Sequence, residues 1–539
     1  MKQYLILALL FLPMLTLAQE FNRQDTLRGS ITPERAWWDL LHYQLEVDVY
    51  PETKSIKGKN TITYKVLAEG SRLQIDLQKP MTLDMVTYNG KDLNVNTEGS
   101  AHFIQVPKQA KDSEQTIVIE FSGTPREAVR PPWDGGYTWS EDGNGKPFIA
   151  TSNQGIGASI WWPNKDHPYD EPERGIDMAI STPADLVAVG NGRLTKTVEL
   201  GDRIIYYWQV KNPINNYGVN VNIGDYVNFS EVYKGLKGDL DLDYWVLREN
   251  LDKAKEQFKQ SPMMIEAFEH WFGPYPFYED SFKLVEVPYL GMEHQSSVTY
   301  GNKYQNGYLG RDLSGSDWGL KFDFIIIHEG GHEWFANNIT QSDIADMWIH
   351  EGFTAYSENL YLDYHYGKKA SSEYVIGTRA LIQNASPVIG TYGVNRRGSG
   401  DMYYKGANTL HTLRQLIEDD EKWRAILVGL NKDFYHQVVS SKTVEEYISE
   451  KSGIDLTQFW DQYLRTTMIP TLEYKQKGGE LLYRYTNIVD GFDMPVIALI
   501  DGKEQWIYPN KDWKEISTPK PMDSFEIKKD FYVEAVKID

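Results

Sequence analysis

Hydrophobic and polar residues alternate through the first part of the chain, from about position 42 to position 230. The run YQLEVDV at residues 43–49 shows this two-residue period, and turn sequences such as Asn89-Gly90 separate the short runs. Such alternation is typical of strands that bury one face. The pattern predicts an antiparallel β domain over residues 19–235, folded as a sandwich or as an open saddle of sheet.

The period lengthens to that of helices beyond Leu247. Ser261-Pro262 is typical of a helix start and Gly273-Pro274 of a helix end, and apolar residues between them share one face. The pattern predicts a mainly helical domain over residues 236–468, whose further helices are 323–337, 348–366, 406–417 and one that follows Thr443.

Alternation returns near the end of the chain, in LEYK from Leu472 and in LLYRY from Leu481. It predicts a small β domain over residues 469–539. The whole chain is therefore predicted to be a multidomain α+β protein, in which a mainly helical domain follows an N-terminal antiparallel β domain and precedes a small C-terminal β domain.

Residues 1–18 have the features of a secretory signal peptide: Lys2, an apolar run at residues 4–17, and the small residue Ala18 before a polar stretch. We expect cleavage near Ala18 and a secreted or periplasmic protein. A membrane anchor is the alternative, but the run is shorter than the roughly 20 residues of a spanning helix, and Pro13 interrupts it. No second apolar stretch follows, so no stable membrane span is expected.

The charge of the chain excludes one class of partner. With 76 acidic and 55 basic residues the formal net charge is -21, which argues against nucleic acid, because proteins that bind it concentrate Lys and Arg. An acidic cleft would favour cationic ligands such as a protonated amine, although a solvated acidic surface has the same composition. The chain contains no cysteine, so its fold depends on its core or on a metal and not on disulfides.

The strongest chemical signal is the sequence HEGGH from His328 to His332, inside an apolar run. Two histidines four positions apart on a helix are separated by about 6 Å of rise and about 40° of rotation, so both can reach one metal ion. Glu351 follows after eighteen intervening residues, which suits a second helix that returns with a third ligand. His328, His332 and Glu351 predict one catalytic zinc ion per chain, with Glu329 beside the open position. A chance pair of surface histidines is the alternative.

Neighbouring residues bear on the shape of this site. His350 is predicted to pack beside the ligands and not to bind, because adjacent residues on a helix point about 100° apart. Glu358 shares a helical face with Glu351, where it could orient a zinc-bound histidine or form an external salt bridge. Gly330 and Gly331 each cost about 1 kcal/mol relative to alanine in a helix, which indicates either a closely packed backbone or an open floor of the site.

Further motifs accompany the metal-site sequence, in residues 154–166 (QGIGASIWWPNKD), 291–294 (GMEH), 328–340 (HEGGHEWFANNIT), 348–358 (WIHEGFTAYSE) and 403–407 (YYKGA). By these motifs and by their order the chain resembles the M1 family of gluzincin aminopeptidases, over about residues 40–470.

The resemblance implies a thermolysin-like catalytic domain and the activity of an aminopeptidase, which hydrolyses the N-terminal bond of peptides with a free N-terminus. It implies that zinc polarises the scissile carbonyl, that Glu329 is the general base, and that Tyr403 stabilises the oxyanion. The residues that the resemblance implies to bind substrate are Gln154, Gly291, Met292 and Glu293. Of these, Gln154 and Glu293 would hold the ammonium group.

The sequence departs from the family pattern at Leu290, His294, Glu333 and Ala336, where the family commonly has Gly, Asn, Gln and Gly. A protonated His294 would repel the substrate ammonium or pair with Glu293. The alternative within enzymes is a zinc endopeptidase or another zinc hydrolase on the same scaffold, such as one that opens an epoxide. Two other classes are a catalytically silent module that captures peptides and a carbohydrate-binding protein that uses the many tryptophans.

Overall fold

The computed structural model describes residues 21–517 and 522–539, and the predicted signal peptide at residues 1–18 lies outside the described part. A β-rich N-terminal region, a mainly helical middle region and a set of C-terminal strands follow one another along the chain. Within the described ranges, every helix is too short or too polar to cross a membrane. The predicted α+β fold class is confirmed.

The N-terminal region consists of two short helices followed by strands. In its first strand, buried residues largely alternate with more exposed ones, as the two-residue period predicts. Its elements are α1 (Arg23–Gly29), α2 (Pro33–Ala36), β1 (Trp38–Tyr50), β2 (Ser55–Val66), β3 (Arg72–Asp76), β4 (Thr82–Tyr88), β5 (Lys91–Asp92), β6 (Val95–Glu98), β7 (Ala101–Gln105), β8 (Glu114–Gly123), β9 (Gly136–Glu141), β10 (Pro147–Ser152), β11 (Ile176–Pro183), β12 (Val187–Val189), β13 (Arg193–Leu200), β14 (Arg203–Val210) and β15 (Asn222–Gly224).

These strands form one large sheet and two smaller ones. The large sheet has the order β13-β14-β11-β1-β2-β8-β4-β5, and the smaller sheets have the orders β12-β15-β10-β9 and β3-β7-β6. Pairing in the large sheet is antiparallel except between β1 and β11. Trp38, Tyr43 and Trp162 belong to a hydrophobic cluster that forms the core of this region and also includes Val285 of the next region.

The middle region combines a mixed sheet with helices. Its elements are β16 (Tyr226–Gly235), β17 (Gly238–Leu247), α3 (Leu251–Gln257), α4 (Gln260–Phe272), β18 (Phe282–Glu286), β19 (Gly291–Met292), β20 (Val298–Tyr300), α5 (Phe324–Gly331), β21 (Ile339–Gln341), α6 (Trp348–Tyr366), α7 (Lys368–Gly377), α8 (Tyr404–Ile417), α9 (Asp420–Asp433), β22 (Gln437–Val439), α10 (Ser441–Ser452) and α11 (Thr457–Arg465).

The mixed sheet begins before the boundary that the sequence predicts between residues 235 and 236. That boundary falls in the turn between β16 and β17, and both strands belong to the sheet β16-β17-β18-β20-β19. β18 runs parallel to β17 and to β20. The hairpin has the same alternation as the strands before it, so the sequence pattern does not separate the two regions at Tyr226.

Helix α6 has the predicted bounds, whereas α5 ends at Gly331 and not at residue 337 as predicted. Two glycines in its last turn weaken the helix. After them the chain continues in turns, in which the N–H of Trp334 donates to the carbonyl oxygen of Gly331 at 3.1 Å. His332 therefore stands where the helix ends, and its ring contacts the carbonyl group of Phe335.

The C-terminal strands pack directly on the helices of the middle region. Tyr485 and Phe492 belong to the same hydrophobic cluster as Tyr463 of α11. The strands form the sheets β27-β24-β23-β29 and β26-β25-β28. They are β23 (Thr471–Lys477), β24 (Glu480–Thr486), β25 (Val496–Ile500), β26 (Lys503–Ile507), β27 (Lys514–Ser517), β28 (Phe525–Ile527) and β29 (Glu534–Lys537).

Candidate active site

The predicted metal ligands meet where the end of α5 faces the start of α6. Ligand atoms of His328, His332 and Glu351 all lie within 4.8 Å of one another, and the three residues are buried. Oε2 of Glu351 is 3.7 Å from Nε2 of His328 and 3.3 Å from Nε2 of His332. The two helices thus present two imidazole nitrogens and one carboxylate to a single point.

Hydrogen bonds on the far side of each ring turn Nε2 toward this point. Nδ1 of His328 donates to Oε1 of Glu358 at 2.7 Å, and Nδ1 of His332 donates to the carbonyl oxygen of Phe335 at 3.0 Å. Each ring is then the tautomer whose Nε2 carries a free lone pair. Oε2 of Glu351 is buried without a hydrogen-bond partner in the described part of the chain. A cation would satisfy that oxygen, and this ligand set fits zinc.

Two further residues of α6 lie beside the metal ligands and are not ligands themselves. Glu358 is fully buried, and its Oε2 accepts a 2.6 Å hydrogen bond from the hydroxyl of Tyr374. Glu358 therefore orients His328, and the alternative of an external salt bridge is wrong. Nε2 of His350 accepts the N–H of Gln341 at 2.8 Å, and burial lowers the pKa of His350 to about 3. His350 is packed beside the ligands, as predicted.

Glu329 lies beside the ligands on α5. Ligand atoms of Glu293, Glu329 and His332 form a second buried group within 4.8 Å of one another. Burial raises the pKa of Glu329. A carboxylate in this environment holds a proton more readily than one in water, which suits a group that must accept a proton and release it.

Gln154 connects the N-terminal region to the metal ligands. Its Nε2 donates to Oε1 of Glu293 and to Oε1 of Glu351, each at 2.6 Å. Glu293 is only 2% exposed, and burial raises its pKa to about 7. One amide group therefore joins the predicted ammonium-binding carboxylate to the carboxylate of the metal site.

Strand β19 holds Glu293 against α5. A Cβ added to Gly291 would lie 2.6 Å from Cγ2 of Ile325, so the strand reaches the helix this closely only with glycine. Met292, the other residue of this strand, is almost fully buried. Nδ2 of Asn337 donates to the carbonyl oxygen of Glu293 at 2.9 Å, which fixes the backbone after the strand.

Tyr403 precedes α8 and faces the same point. Its ring centroid is 6.0 Å from that of His328, and burial raises the pKa of its hydroxyl well above the usual value, so it stays a hydrogen-bond donor. A Cβ added to Gly406 would lie 2.8 Å from Cα of Gly352, so α8 and α6 touch through glycine backbone. This contact sets the position of Tyr403 relative to Glu351.

Comparison with known proteins gives the family. Residues 40–217 match the Peptidase M1 N-terminal domain and residues 256–463 match the Peptidase family M1 domain, together more than two thirds of the chain. The chain belongs to peptidase family M1. The resemblance found in the sequence is thereby confirmed.

Several M1 relatives have aminopeptidase names. Endoplasmic reticulum aminopeptidase 1 of Mus musculus is 23% identical over 377 residues, 64% of this chain and 40% of the relative. Probable aminopeptidase 1 of Sulfurisphaera tokodaii is 20% identical over 487 residues, 86% of this chain and 59% of the relative. Leukotriene A-4 hydrolase of Xenopus laevis is 21% identical over 476 residues, 82% of this chain and 74% of the relative. The chain thus spans 40% and 59% of the length of the first two.

Solved M1 structures share the fold. An M1 zinc metallopeptidase of Deinococcus radiodurans, in a mutant form bound to a Tyr-Ser-Ala substrate, superimposes with a TM-score of 0.70. It is 19% identical, and the match covers 82% of this chain and 98% of that one. At this level of identity the likeness concerns the fold alone.

In this M1 chain the metal ligands open on a cavity of about 270 Å³ that both the N-terminal and the middle regions enclose. The structure brings every site residue proposed from the sequence to this one cavity. Those that line it are Gln154, Gly291, Met292, Glu293, His328, Glu329, His332, Glu351 and Tyr403.

The cavity has further walls that sequence reasoning missed. Pro132 and Trp133 line it from the N-terminal region, and Trp133 is 60% exposed. Arg397 lines it from the loop that leads to Tyr403. None of these three residues belongs to a periodic pattern or to an M1 motif, so nothing in the sequence indicated that they line the cavity.

The glycines of the HEGGH sequence lie where α5 packs against neighbouring helices. A Cβ added to Gly330 would lie 2.5 Å from Cε of Met264 on α4, and one added to Gly331 would lie 2.6 Å from Oγ of Ser357 on α6. Neither glycine lines the cavity. Neighbouring side chains fill the space they leave, so the structure shows neither the closely packed backbone nor the open floor that the sequence suggested.

Two departures from the M1 pattern have structural consequences. His294 is fully buried, and burial lowers its pKa to about 3, so it is neutral at neutral pH. It therefore does not repel a substrate ammonium, contrary to the expectation for a protonated ring. The backbone of Ala336 has φ +147°, in the region that favours glycine, the residue common in the family.

Proposed function

We propose that this chain is a zinc-dependent aminopeptidase, with one zinc ion per chain, that hydrolyses the N-terminal bond of peptides with a free amine. The observation that carries the proposal is the contact of Gln154 with both Glu293 and Glu351, which puts an ammonium-binding carboxylate next to the metal ligands. The aminopeptidase names of relatives and the Tyr-Ser-Ala complex of the Deinococcus radiodurans protein support it.

The residues around the ligands divide the chemistry among them. A zinc ion held by His328, His332 and Glu351 would supply Lewis acidity, which polarises the scissile carbonyl group and lowers the pKa of water. A carboxylate oxygen of Glu329 accepts a proton from the attacking water and returns it to the nitrogen of the leaving amine. The hydroxyl of Tyr403 donates a hydrogen bond to the oxygen that becomes negative in the tetrahedral state.

Glu293 and Gln154 determine which peptide bond reacts. Glu293 binds the substrate ammonium through a charge-assisted hydrogen bond, and the amide oxygen of Gln154 is a second, neutral acceptor. Glu293 belongs to the same compact group as Glu329 and His332. An ammonium held there leaves only the first peptide bond within reach of the reacting groups. The anchor therefore gives exopeptidase specificity.

We infer that the protein acts in the periplasm or outside the cell. The support is the signal-peptide sequence of residues 1–18, with cleavage expected near Ala18. A zinc site and a fold that use no cysteine suit an oxidising compartment, because neither depends on the redox state.

Paired peptides of one sequence, with a free and with an acetylated N-terminus, test the proposal. The wild type should hydrolyse the free peptide and largely refuse the acetylated one, because acetylation removes the charge and adds bulk. Glu293→Ala should lower kcat/KM for the free peptide about 10- to 150-fold, since a hydrogen bond to a charged group contributes about 1.5–3 kcal/mol. Glu199→Ala, at an exposed position of β13 outside the cavity, is the matched control.

Equal cleavage of free and acetylated peptides by the wild type would contradict the proposal. It would show that Glu293 is not an amine anchor and would favour the endopeptidase alternative.

A further inference from the structure

Arg397 is the only Lys or Arg among the described residues that line the catalytic cavity. The carboxylates that line it are Glu293, Glu329 and Glu351, all of them buried. Arg397, in contrast, is exposed to solvent. The cavity is therefore polarised, with carboxylates at its floor and a guanidinium group at its mouth.

The backbone that carries Arg397 is held in place. A Cβ added to the next residue, Gly398, would lie 1.8 Å from the carbonyl oxygen of Val388, so the loop is closely packed there. The N–H of Ser399 donates to the carbonyl oxygen of Pro387 at 3.2 Å. The guanidinium group itself makes no hydrogen bond or ion pair with any residue in the described ranges. A fixed backbone thus presents an unpaired cation to the cavity.

We propose that Arg397 binds a carboxylate of the substrate, and that the enzyme thereby favours short peptides with a free C-terminus. The proposal rests on the aminopeptidase function above. A planar guanidinium group matches a carboxylate with two parallel hydrogen bonds, which a lysine could not provide. A short peptide carries its ammonium at one end and its carboxylate at the other, and the cavity offers a buried carboxylate, Glu293, to the first and an exposed guanidinium group, Arg397, to the second.

The size of the cavity suits a short peptide. An extended chain spans at most about 3.3–3.6 Å per residue, so a tripeptide with its ammonium anchored puts its carboxylate about 10 Å away. The volume of about 270 Å³ is near the lower end, roughly 300 Å³, of pockets that bind small molecules. It suits two or three enclosed residues, with the last of them at the mouth.

The test compares trialanine as the free acid with trialanine amide in the wild type, in Arg397→Gln and in Arg396→Gln. Arg396 is the matched control, because it is exposed, adjacent in sequence and outside the cavity. The wild type should prefer the free acid about 3- to 10-fold in kcat/KM. This preference is larger than an exposed ion pair would give and smaller than a buried hydrogen bond to a charged group would give. The preference should lie in KM and decrease as salt is added.

Arg397→Gln should bring the ratio of acid to amide close to one, whereas Arg396→Gln should keep the wild-type ratio. A third arm uses an amidated tripeptide with glutamate in the last position. If the wild type prefers this peptide to trialanine amide and Arg397→Gln does not, Arg397 also accepts a side-chain carboxylate. If the wild type shows no such preference, the site is specific for the C-terminal carboxylate.

Equal rates on acid and amide in the wild type, or a preference that survives Arg397→Gln, would overturn the inference while leaving the aminopeptidase function intact. Failure of that function gives a different result, in which neither trialanine nor its amide is hydrolysed.

Discussion

Replacing Gly406 by alanine adds a methyl group where α8 touches α6. Built on the present backbone, the new Cβ lies 2.8 Å from Cα of Gly352. Non-bonded carbon atoms prefer separations of about 3.5–4.0 Å, so the two helices must move apart by about 0.7–1.2 Å. The atom it meets belongs to the backbone, so rotating a side chain cannot relieve the contact.

This shift should separate Tyr403 from the metal ligands by a similar distance. A misplacement of about 1 Å in an active site costs about 10²-fold in rate, and we expect kcat of Gly406→Ala to fall by that factor. Overpacking costs about 1–3 kcal/mol, which leaves the protein folded. In the reciprocal variant, Gly352→Ala, the new Cβ meets Cα of Gly406 at 3.3 Å and the carbonyl oxygen of Met402 at 3.1 Å. Its smaller displacement should cost about 10-fold or less.

The assay measures kcat and KM on a free-amine peptide, with zinc content and melting temperature for each variant. We expect zinc to be retained, KM to change little, and kcat to fall further in Gly406→Ala than in Gly352→Ala. If Gly406→Ala melted at a lower temperature but kept kcat within a few-fold of wild type, the glycine contact would support the fold without positioning Tyr403. A reversed order of the two variants would equally refute the reasoning.

Three further predictions concern the same region. Glu329→Gln should retain one zinc ion per chain by elemental analysis and lose about 10²- to 10⁴-fold in kcat, because an amide cannot accept the proton; near-normal turnover would remove Glu329 from the mechanism. Tyr403→Phe should lower kcat far more than it changes KM, whereas Tyr404→Phe should be mild, and the opposite pattern in steady-state kinetics would assign the oxyanion contact to Tyr404. Ala336→Gly should raise the melting temperature, because it relieves backbone strain at φ +147° that costs about 1–3 kcal/mol. The entropy that glycine adds to the unfolded chain costs only about 0.4–1 kcal/mol. An unchanged or lower melting temperature would show that the backbone is not strained there.

Helices are predictable from this sequence where periodicity and an end signal agree. Helix α6 has both, since its helical pattern ends at Gly367, which takes a positive φ. Helix α5 lacks an end signal, because Trp334 and Phe335 continue the apolar run although the chain leaves the helix after Gly331. Hydrophobicity alone does not distinguish a buried turn from a buried helix.

The metal ligands are predictable because two of them are four residues apart on one helix. The contact of Gln154 with Glu351 joins positions 197 residues apart, and only the resemblance to the M1 family pointed to Gln154. Trp133 and Arg397 have neither a motif nor a buried periodic pattern. Their place at the cavity depends on how the N-terminal and middle regions pack, which local sequence does not encode.

The continuous core of the middle and C-terminal regions has a consequence for how the enzyme folds. Tyr485 and Phe492 of the last region belong to the same hydrophobic cluster as the catalytic helices, whereas the core residues of the N-terminal region form a second cluster, which also includes Val285 of the middle region. We therefore expect the C-terminal strands to unfold together with the catalytic helices. Gln154 lies in the N-terminal region and the zinc ligands in the middle region. Activity consequently depends on how these two regions pack together, and we expect that it can be lost while each region keeps its own fold.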